Sequence, residues 1–172
     1  MMKFLSDWGF TREGWRSGER GEYLVLLQGV LLIGFVLLPV YRPKGWDIDS
    51  PVLLSLRWGI PAVLGIGASL LIGKGLLDLG RNLTPLPYPK DDGQLVQSGV
   101  YSIVRHPLYS GLIFAAFSWA VFQFSLSHLL TVAILFAFFD AKARREEAWL
   151  TEKYPEYSDY QQRVKKLLPG LY

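Results

Sequence analysis

One short run gathers the side chains best suited to chemistry: Gly99-Val100-Tyr101-Ser102-Ile103-Val104-Arg105-His106-Pro107-Leu108-Tyr109-Ser110-Gly111. It follows a polar, proline-rich stretch and leads into a strongly apolar one. Pro107 suits the first turn of a helix, because its missing N–H costs nothing there and its ring fixes a helical φ. His106 then falls at the N-cap, with Arg105 just outside. Free N–H groups and the helix dipole attract anions at such an end. A cation, an imidazole and two tyrosines thus meet where an apolar helix begins, a setting for a small charged ligand. The plainer reading is a membrane helix whose start carries interfacial aromatics and a basic anchor.

Apolar elements must position that run. The 172 residues are enough for one domain, 51% are hydrophobic, and the mean hydropathy is +0.22. Charges fall between the apolar runs, as in a polytopic membrane protein. A net charge of +3 asks for no nucleic-acid partner, since basic residues beside membrane segments follow from topology and from anionic headgroups. Cysteine is absent, which excludes disulfides, thiolate catalysis and cysteine-bound metals. The two histidines, His106 and His128, are well separated and make no multi-histidine centre, so no metal is expected.

Residues 1–22 carry Lys3, Arg12, Arg16 and Arg20 against Asp7, Glu13, Glu19 and Glu22. No apolar run or small-residue cleavage site follows the start, so a cleaved signal peptide is not expected. Phe4, Trp8 and Trp15 suit one side of an interfacial helix, with a mobile cytosolic tail as the alternative. Tyr23 to Val40 is the first membrane helix, uncharged and long enough to cross; Pro39, Arg42 and Pro43 end it. The next span is expected over Trp58 to Leu77, inside an apolar stretch running from Val52 to Leu79. Gly59, Gly65, Gly67, Gly73 and Gly75 allow close helix contact there, and Lys74 is spaced to pair with Asp78.

Residues 80–106 form a long loop in which Pro85, Pro87 and Pro89 forbid a regular helix. Such a loop in a small membrane domain is functional or disordered, and Leu95, Val96, Val100, Ile103 and Val104 anchor it over the helix ends. Leu108 to Phe124 and Leu126 to Phe139 make a helical hairpin with an uncharged turn. Each is a little short for a full span unless the second helix continues. His128 at the turn reads as an interfacial polar residue. From Asp140 to Leu150 the charges pair at four-residue spacing, Asp140 with Arg144 and Lys142 with Glu146, which suits a solvated helix. Tyr154 to Pro169 reads as a short tail on the membrane surface.

Most Lys and Arg residues lie in the amino tail, the 80–106 loop and the carboxyl tail, and the 125–128 turn holds none. Four spans with both termini in the cytosol satisfy the positive-inside rule. The expected fold is an all-α, multi-pass integral membrane protein in three parts: a cytosolic or interfacial segment 1–22, two transmembrane helices within 23–79, and a core 80–172. That topology brings the proline-rich loop, the His106 helix end and Glu146 to one face. There the loop, the last hairpin and the carboxyl-terminal segment would enclose a cytosolic pocket for a small zwitterion.

The run Gln94-Leu95-Val96-Gln97-Ser98-Gly99-Val100-Tyr101, followed by Arg105-His106-Pro107-Leu108-Tyr109-Ser110-Gly111, resembles the isoprenylcysteine carboxyl methyltransferase family. Downstream come Glu146-Glu147-Ala148-Trp149-Leu150, Tyr157, Tyr160, Arg163-Val164 and Pro169, in the family's order and spacing. The resemblance covers roughly residues 75–169, and the wider group includes phospholipid N-methyltransferases and other small membrane methyltransferases. It implies S-adenosylmethionine as methyl donor, lined by Gln94, Leu95, Val96, Tyr101, Arg105, His106, Pro107, Leu108 and Tyr109. Glu146 would hold the donor's amino end, with Glu147 beside it. The family sets a basic residue one helical turn before that glutamate on the substrate carboxylate. Lys142 stands there, with Arg144 and Arg145 nearby as further candidates. Two departures are visible: Tyr154-Pro155-Glu156-Tyr157 is one residue shorter than the commoner form, and Val164-Lys165-Lys166 replaces the usual Val-Pro.

Methyl transfer is an in-line displacement, so alignment and exclusion of water supply most of the acceleration. A carboxylate acceptor needs no general base. An amine or thiol must shed a proton, and Glu146 and His106 are then the catalytic candidates, with Glu147 behind them. The acceptor is expected to be lipophilic and to enter sideways between helices from among the membrane lipids. A prenylcysteine-type carboxylate is favoured over a phospholipid or small-molecule N-, O- or S-acceptor. Two other classes compete. One is a sterol-reductase-like oxidoreductase using NADPH, against which stands the lack of a phosphate-binding glycine loop; the other is a non-catalytic membrane scaffold.

Overall fold

Prolines open the two helices that matter most for the site. Pro51 and Pro107 each occupy the first turn of a helix, where the missing N–H is no loss. The structure is a computed structural model describing residues 8–11, 13–46 and 50–172. Lys3, Phe4, Asp7 and Arg12, used above in reading the amino tail, lie outside the described residues. Among the described residues six α-helices follow in order: α1 (Gly14–Ser17), α2 (Glu22–Leu37), α3 (Pro51–Leu79), α4 (Pro107–Gln123), α5 (Leu126–Lys153) and α6 (Tyr157–Arg163). Single 3-10 turns stand at Gly80–Asn82 and Gly99–Ser102. No strand occurs among the described residues; an isolated parallel bridge joins Val104 to Lys165.

The segments Pro51–Asn82 and Leu126–Lys153 are long and apolar enough to cross a membrane, whereas α2 and α4 are shorter apolar helices. The α3 helix begins at Pro51, well before the expected Trp58, because Arg57 does not interrupt it. The Arg57 Nε instead donates to the Phe122 carbonyl at 2.8 Å, and Arg42 donates to the Gln123 carbonyl through Nε at 3.1 Å and a terminal nitrogen at 2.9 Å. Both guanidiniums therefore satisfy carbonyls that the end of α4 leaves open. The α2 helix stops at Leu37, short of Val40, since Leu38 precedes Pro39 and turns to extended backbone.

Helices α3 and α4 approach closely through two glycines. A Cβ on Gly111 would lie 2.5 Å from Ile72 Cγ1, and one on Gly75 would lie 2.9 Å from Leu108 Cδ2. Of the other glycines expected to make such contacts, Gly59, Gly67 and Gly73 face open space and Gly65 has only an ordinary contact. The α4–α5 turn passes through Phe124 at φ 50°, with Ser125 capping α5. His128 is buried there. Its Nδ1 lies 2.8 Å from Ser125 Oγ, and its ring meets Phe35 edge-on at 5.1 Å.

Two further expectations change. The carboxyl tail is more than a surface segment: Tyr157, Tyr160 and Leu167 are buried, and Leu167 joins a core of Phe35, Ile113, Ala116, Leu135 and Phe139. Backbone N–H groups of Arg105 and His106 donate to the carbonyls of Lys165 and Lys166 at 2.8 and 3.1 Å, drawing the tail back to the start of α4. Trp8 and Trp15 do not share one helix. Trp15 lies on α1 and stacks on Phe10 at 5.4 Å, while Trp8 lies in a turn whose carbonyl accepts from Thr84 Oγ1 at 2.8 Å.

Candidate functional site

The site is built where α4 begins. His106 is its N-cap, and the Ser110 N–H and hydroxyl both donate to the His106 carbonyl, at 3.0 and 2.9 Å. One helical turn along, the Tyr109 ring stacks parallel on the imidazole at 5.3 Å and on Phe139 at 5.1 Å. Spacing of three on a helix makes the first contact; packing of α4 on α5 makes the second.

Helix α5 supplies the two glutamates, and adjacency in sequence sends them to different places. Glu146 accepts from the Tyr109 hydroxyl at 2.6 Å, and its Oε2 lies 3.8 Å from His106 Nδ1. Glu147 sits behind the imidazole. Its Oε1 lies 3.1 Å from His106 Nε2 and accepts from Arg105 Nε at 2.8 Å, while its Oε2 accepts from Gln161 Nε2 at 3.3 Å. Arg105 also donates to the carbonyls of Gln161 and Val164, so its guanidinium is committed to the tail. Both the Arg105 and Glu147 side chains are buried, which makes their pairing dependent on good geometry.

The loop before α4 is pinned by Asp78. Its Oδ2 accepts from the Val100 N–H at 2.8 Å, its Oδ1 lies 3.7 Å from Lys74, and Gly99 at φ 62° leaves no room for a Cβ against it. Tyr101 is thereby buried, and its backbone carbonyl accepts from Tyr160 at 2.5 Å. Burial pushes the Tyr101, Tyr157 and Tyr160 hydroxyls well above the ordinary tyrosine range, with Glu146 adding to the effect at Tyr101. All three stay protonated donors.

Two neighbouring cavities share Leu79, Thr84, Tyr101, Arg105, His106 and Glu146. The smaller, about 100 Å³, lies under the proline-rich loop and is lined by Gln94, Leu95, Val96 and by Tyr154, Tyr157 and Tyr160 from the chain end. The larger, about 330 Å³, lies among the helices: Gln28 from α2, Ile72 and Leu76 from α3, Leu108 and Leu112 from α4, and Lys142 from α5. Pro107 and Tyr109 also face the larger space.

Of the expected site residues, Glu147 lines neither cavity. Arg144 and Arg145 also point elsewhere: Arg144 grips Asp140 at 2.6 Å on the exposed side of α5, and Arg145 lies over the Trp149 ring at 4.8 Å. Lys142 is the basic member of that trio that reaches the site. Sequence reasoning passed over Gln28, Trp8, Thr84, Tyr154 and Gln161. Gln28 did carry a signal, as a lone amide inside an uncharged apolar run.

A match at family level decides between the readings of this arrangement. The phospholipid methyltransferase family matches residues 58–157, which run from within α3 to the start of α6. The chain belongs to that family. It is similar to the methanethiol S-methyltransferase of Pseudomonas sp. (strain GM41(2012)), 32% identical over 162 residues, covering 88% of this chain and 60% of that protein. The enzyme of the same name from Pseudomonas deceptionensis is 29% identical over 159 residues, covering 89% of this chain and 60% of its own length. The probable protein-S-isoprenylcysteine O-methyltransferase of Oryza sativa subsp. indica is 35% identical over 82 residues, 46% of this chain and 43% of the relative. The chain thus spans 60% of the length of the methanethiol enzymes it matches. It is an apolar, helical member of a membrane methyltransferase family.

Proposed function

We propose that the protein is an S-adenosylmethionine-dependent methyltransferase of a lipophilic acceptor, with the donor in the smaller cavity and the acceptor in the larger. The observation carrying this reading is that the two cavities meet at His106, Glu146, Tyr101 and Arg105. A methyl group passing between two molecules needs such a shared wall, and alignment across it supplies most of the rate. When bound, the donor supplies an electrophilic methyl group on a sulfonium.

The residues present fit such a donor. Glu146, whose side chain is 25% exposed, offers a carboxylate to an ammonium group. Aromatic faces of Tyr101 and Tyr157 suit a positive sulfur, and Gln94, Leu95 and Val96 furnish polar and apolar walls. A cavity of about 100 Å³ is below the ~300 Å³ at which small-molecule sites begin. The proline-rich loop must therefore move outward on binding. Its ties to the end of α5 and the turn beyond are hydrogen bonds: Lys153 Nζ donates to the carbonyls of Lys90 and Asp91, and the Tyr154 hydroxyl donates to Gly93 at 2.6 Å.

Placement of the acceptor follows from packing. Helix α2 packs on α5 and α3 on α4, so Gln28 and the pair Ile72 and Leu76 line the larger cavity from separate layers. An apolar molecule reaches it sideways between those layers. We take the chain to cross the membrane four times with both termini cytosolic, which sets Glu146, the loop and the tail on the face where the donor is dissolved. Residues 80–172 then form the catalytic core on the scaffold of 23–79.

The test is transfer of a labelled methyl group from S-adenosylmethionine by purified protein to extracted membrane lipids, farnesylcysteine analogues and small thiols. Label in a lipophilic product is the expected result. Label in none of them, together with NADPH-dependent reduction of a sterol, would overturn the reading.

A further inference from the structure

The end of the bundle away from His106 carries cations that helix capping does not use up. Helix α4 runs 17 residues from Pro107 to Gln123. At about 1.5 Å per residue its last turn lies about 25 Å from its first. There Arg57 donates to the Phe122 carbonyl through Nε alone, and Arg42 donates to the Gln123 carbonyl through Nε and one terminal nitrogen. Both terminal nitrogens of Arg57 and the other one of Arg42 have no acceptor among the described residues, and neither guanidinium meets a carboxylate there. Lys44 stands exposed in the same turn as Arg42. On the topology proposed above this is the non-cytosolic end, where cations are disfavoured. Capping of carbonyls asks for donors and not for charge.

We propose that this end binds an anionic membrane lipid, its phosphate on Arg42 and Arg57 and an acyl chain in the adjoining groove. The groove, of about 300 Å³, is lined by Trp46, by Leu53 of α3, by Val121 and Phe124 at the end of α4, and by Leu129 of α5. Its walls adjoin the cations. Leu53 and Arg57 stand one turn apart on one face of α3, and Val121 and Phe124 flank the carbonyls that the two guanidiniums bind. The turn forming one wall is firmly built. Ser127 Oγ donates to the Pro39 carbonyl at 2.8 Å and accepts from the Tyr41 N–H at 3.2 Å. The Leu126 N–H donates to the Tyr41 carbonyl at 2.9 Å, and the Trp46 ring meets Phe124 edge-on at 5.4 Å.

Depth and charge select this occupant. Trp46, Trp58 and Trp119 are exposed at this level, with Trp58 edge-on against Phe122 at 5.1 Å. Tryptophans mark the headgroup region of a bilayer, where lipid phosphates also lie. A guanidinium held by its Nε keeps a planar fork for phosphate oxygens. Arg42, Lys44 and Arg57 together outnumber the acidic residues of the loop, Asp47 and Asp49, which lie outside the described residues. A free phosphate would gain nothing from the apolar groove. The bound lipid is not the methyl acceptor, because its phosphate lies at the opposite end of α4 from His106. It joins the turn after α2 to the α4–α5 hairpin, so its effect falls on the stability of the bundle. The inference rests on the membrane crossing proposed above and is independent of the methyl donor.

Native mass spectrometry of the purified chain, mixed with equal amounts of dioleoylphosphatidylglycerol and dioleoylphosphatidylcholine, is the test. Wild type should retain the anionic lipid about ten-fold more than the zwitterionic one, the worth of a hydrogen bond to a charged group. The anionic lipid should also raise the unfolding midpoint in detergent. Arg42→Gln combined with Arg57→Gln should bring the two lipids level and remove that rise. Arg42→Lys combined with Arg57→Lys keeps the charge and loses the fork, and should fall between. Lys165→Gln, at an exposed cation of the other end, should leave the preference intact. Circular dichroism checks the fold of each variant, and the headgroup preference of wild type stands as a test even where a variant does not fold. Equal retention of the two lipids by wild type, a preference that survives in the folded Arg42→Gln, Arg57→Gln variant, or full displacement of phosphatidylglycerol by inorganic phosphate would overturn the proposal. Each of those results would leave the methyltransferase reading intact, and S-adenosylmethionine binding bears on that reading alone.

Discussion

His106 Nε2 and Glu147 Oε1 are 3.1 Å apart on the side of the imidazole away from Glu146. The histidine is thus held from behind by one glutamate while its Nδ1 faces the other. Neighbouring glutamates of one helix therefore have separate work: Glu146 at the wall of both cavities, Glu147 in the support of Arg105 and His106.

That division predicts opposite phenotypes for conservative changes. Glu147→Gln leaves the buried Arg105 without its carboxylate and should cost about 3 kcal/mol of stability, the usual toll of breaking a buried pair. Glu146→Gln should cost far less stability and should remove most donor binding. Thermal unfolding in detergent, read beside calorimetry with S-adenosylmethionine, separates the two; equal destabilisation by both would contradict the division.

The basic residues of α5 should also part company. Arg144 is engaged with Asp140 on the exposed face and Arg145 with Trp149. Exposed ion pairs of this kind contribute little, so Arg144→Ala and Arg145→Ala should leave acceptor KM within about two-fold of wild type. Lys142→Met should raise it strongly. Steady-state kinetics with a responsive acceptor decides this.

Entry of the donor should depend on the loop ties. Tyr154→Phe removes the hydrogen bond to Gly93, which outward movement of the loop must break, and should speed donor association by up to about five-fold, the equivalent of about 1 kcal/mol. Stopped-flow measurements of donor binding would show it, and an unchanged association rate would mean that the loop is held by other contacts.

Close approach of α3 and α4 gives a stability prediction. A methyl group at Gly111 meets Ile72 and the Ala68 carbonyl, whereas one at Gly67 meets nothing within 4 Å. Gly111→Ala should destabilise by about 2 kcal/mol through overpacking, and Gly67→Ala should not. Unfolding midpoints of the two variants provide the comparison.

Much of the site was legible because it depends on local rules. Pro107 at a first turn, His106 before it, Tyr109 one turn on, and an uninterrupted charged helix through Glu146 follow from helix geometry alone. What escaped depends on contacts between distant segments. Nothing local says that Arg42 and Arg57 end on carbonyls of α4, that Leu167 returns to the core, or that His128 is buried against Phe35. The glycines illustrate the same limit, since spacing shows where a helix permits approach and only the partner helix shows which of them is used. Gln28 lay between these cases: its polarity in an apolar helix was visible, but its partner, Lys142, stands 114 residues away.

The central claim is that the cavity wall at His106 and Glu146 binds a methyl donor. Calorimetric titration of purified protein with S-adenosylmethionine, repeated with His106→Ala and Glu146→Gln, tests it most directly. Saturable binding to wild type, weakened about ten-fold or more in each variant, is the predicted result. Binding of equal affinity in all three proteins would contradict it.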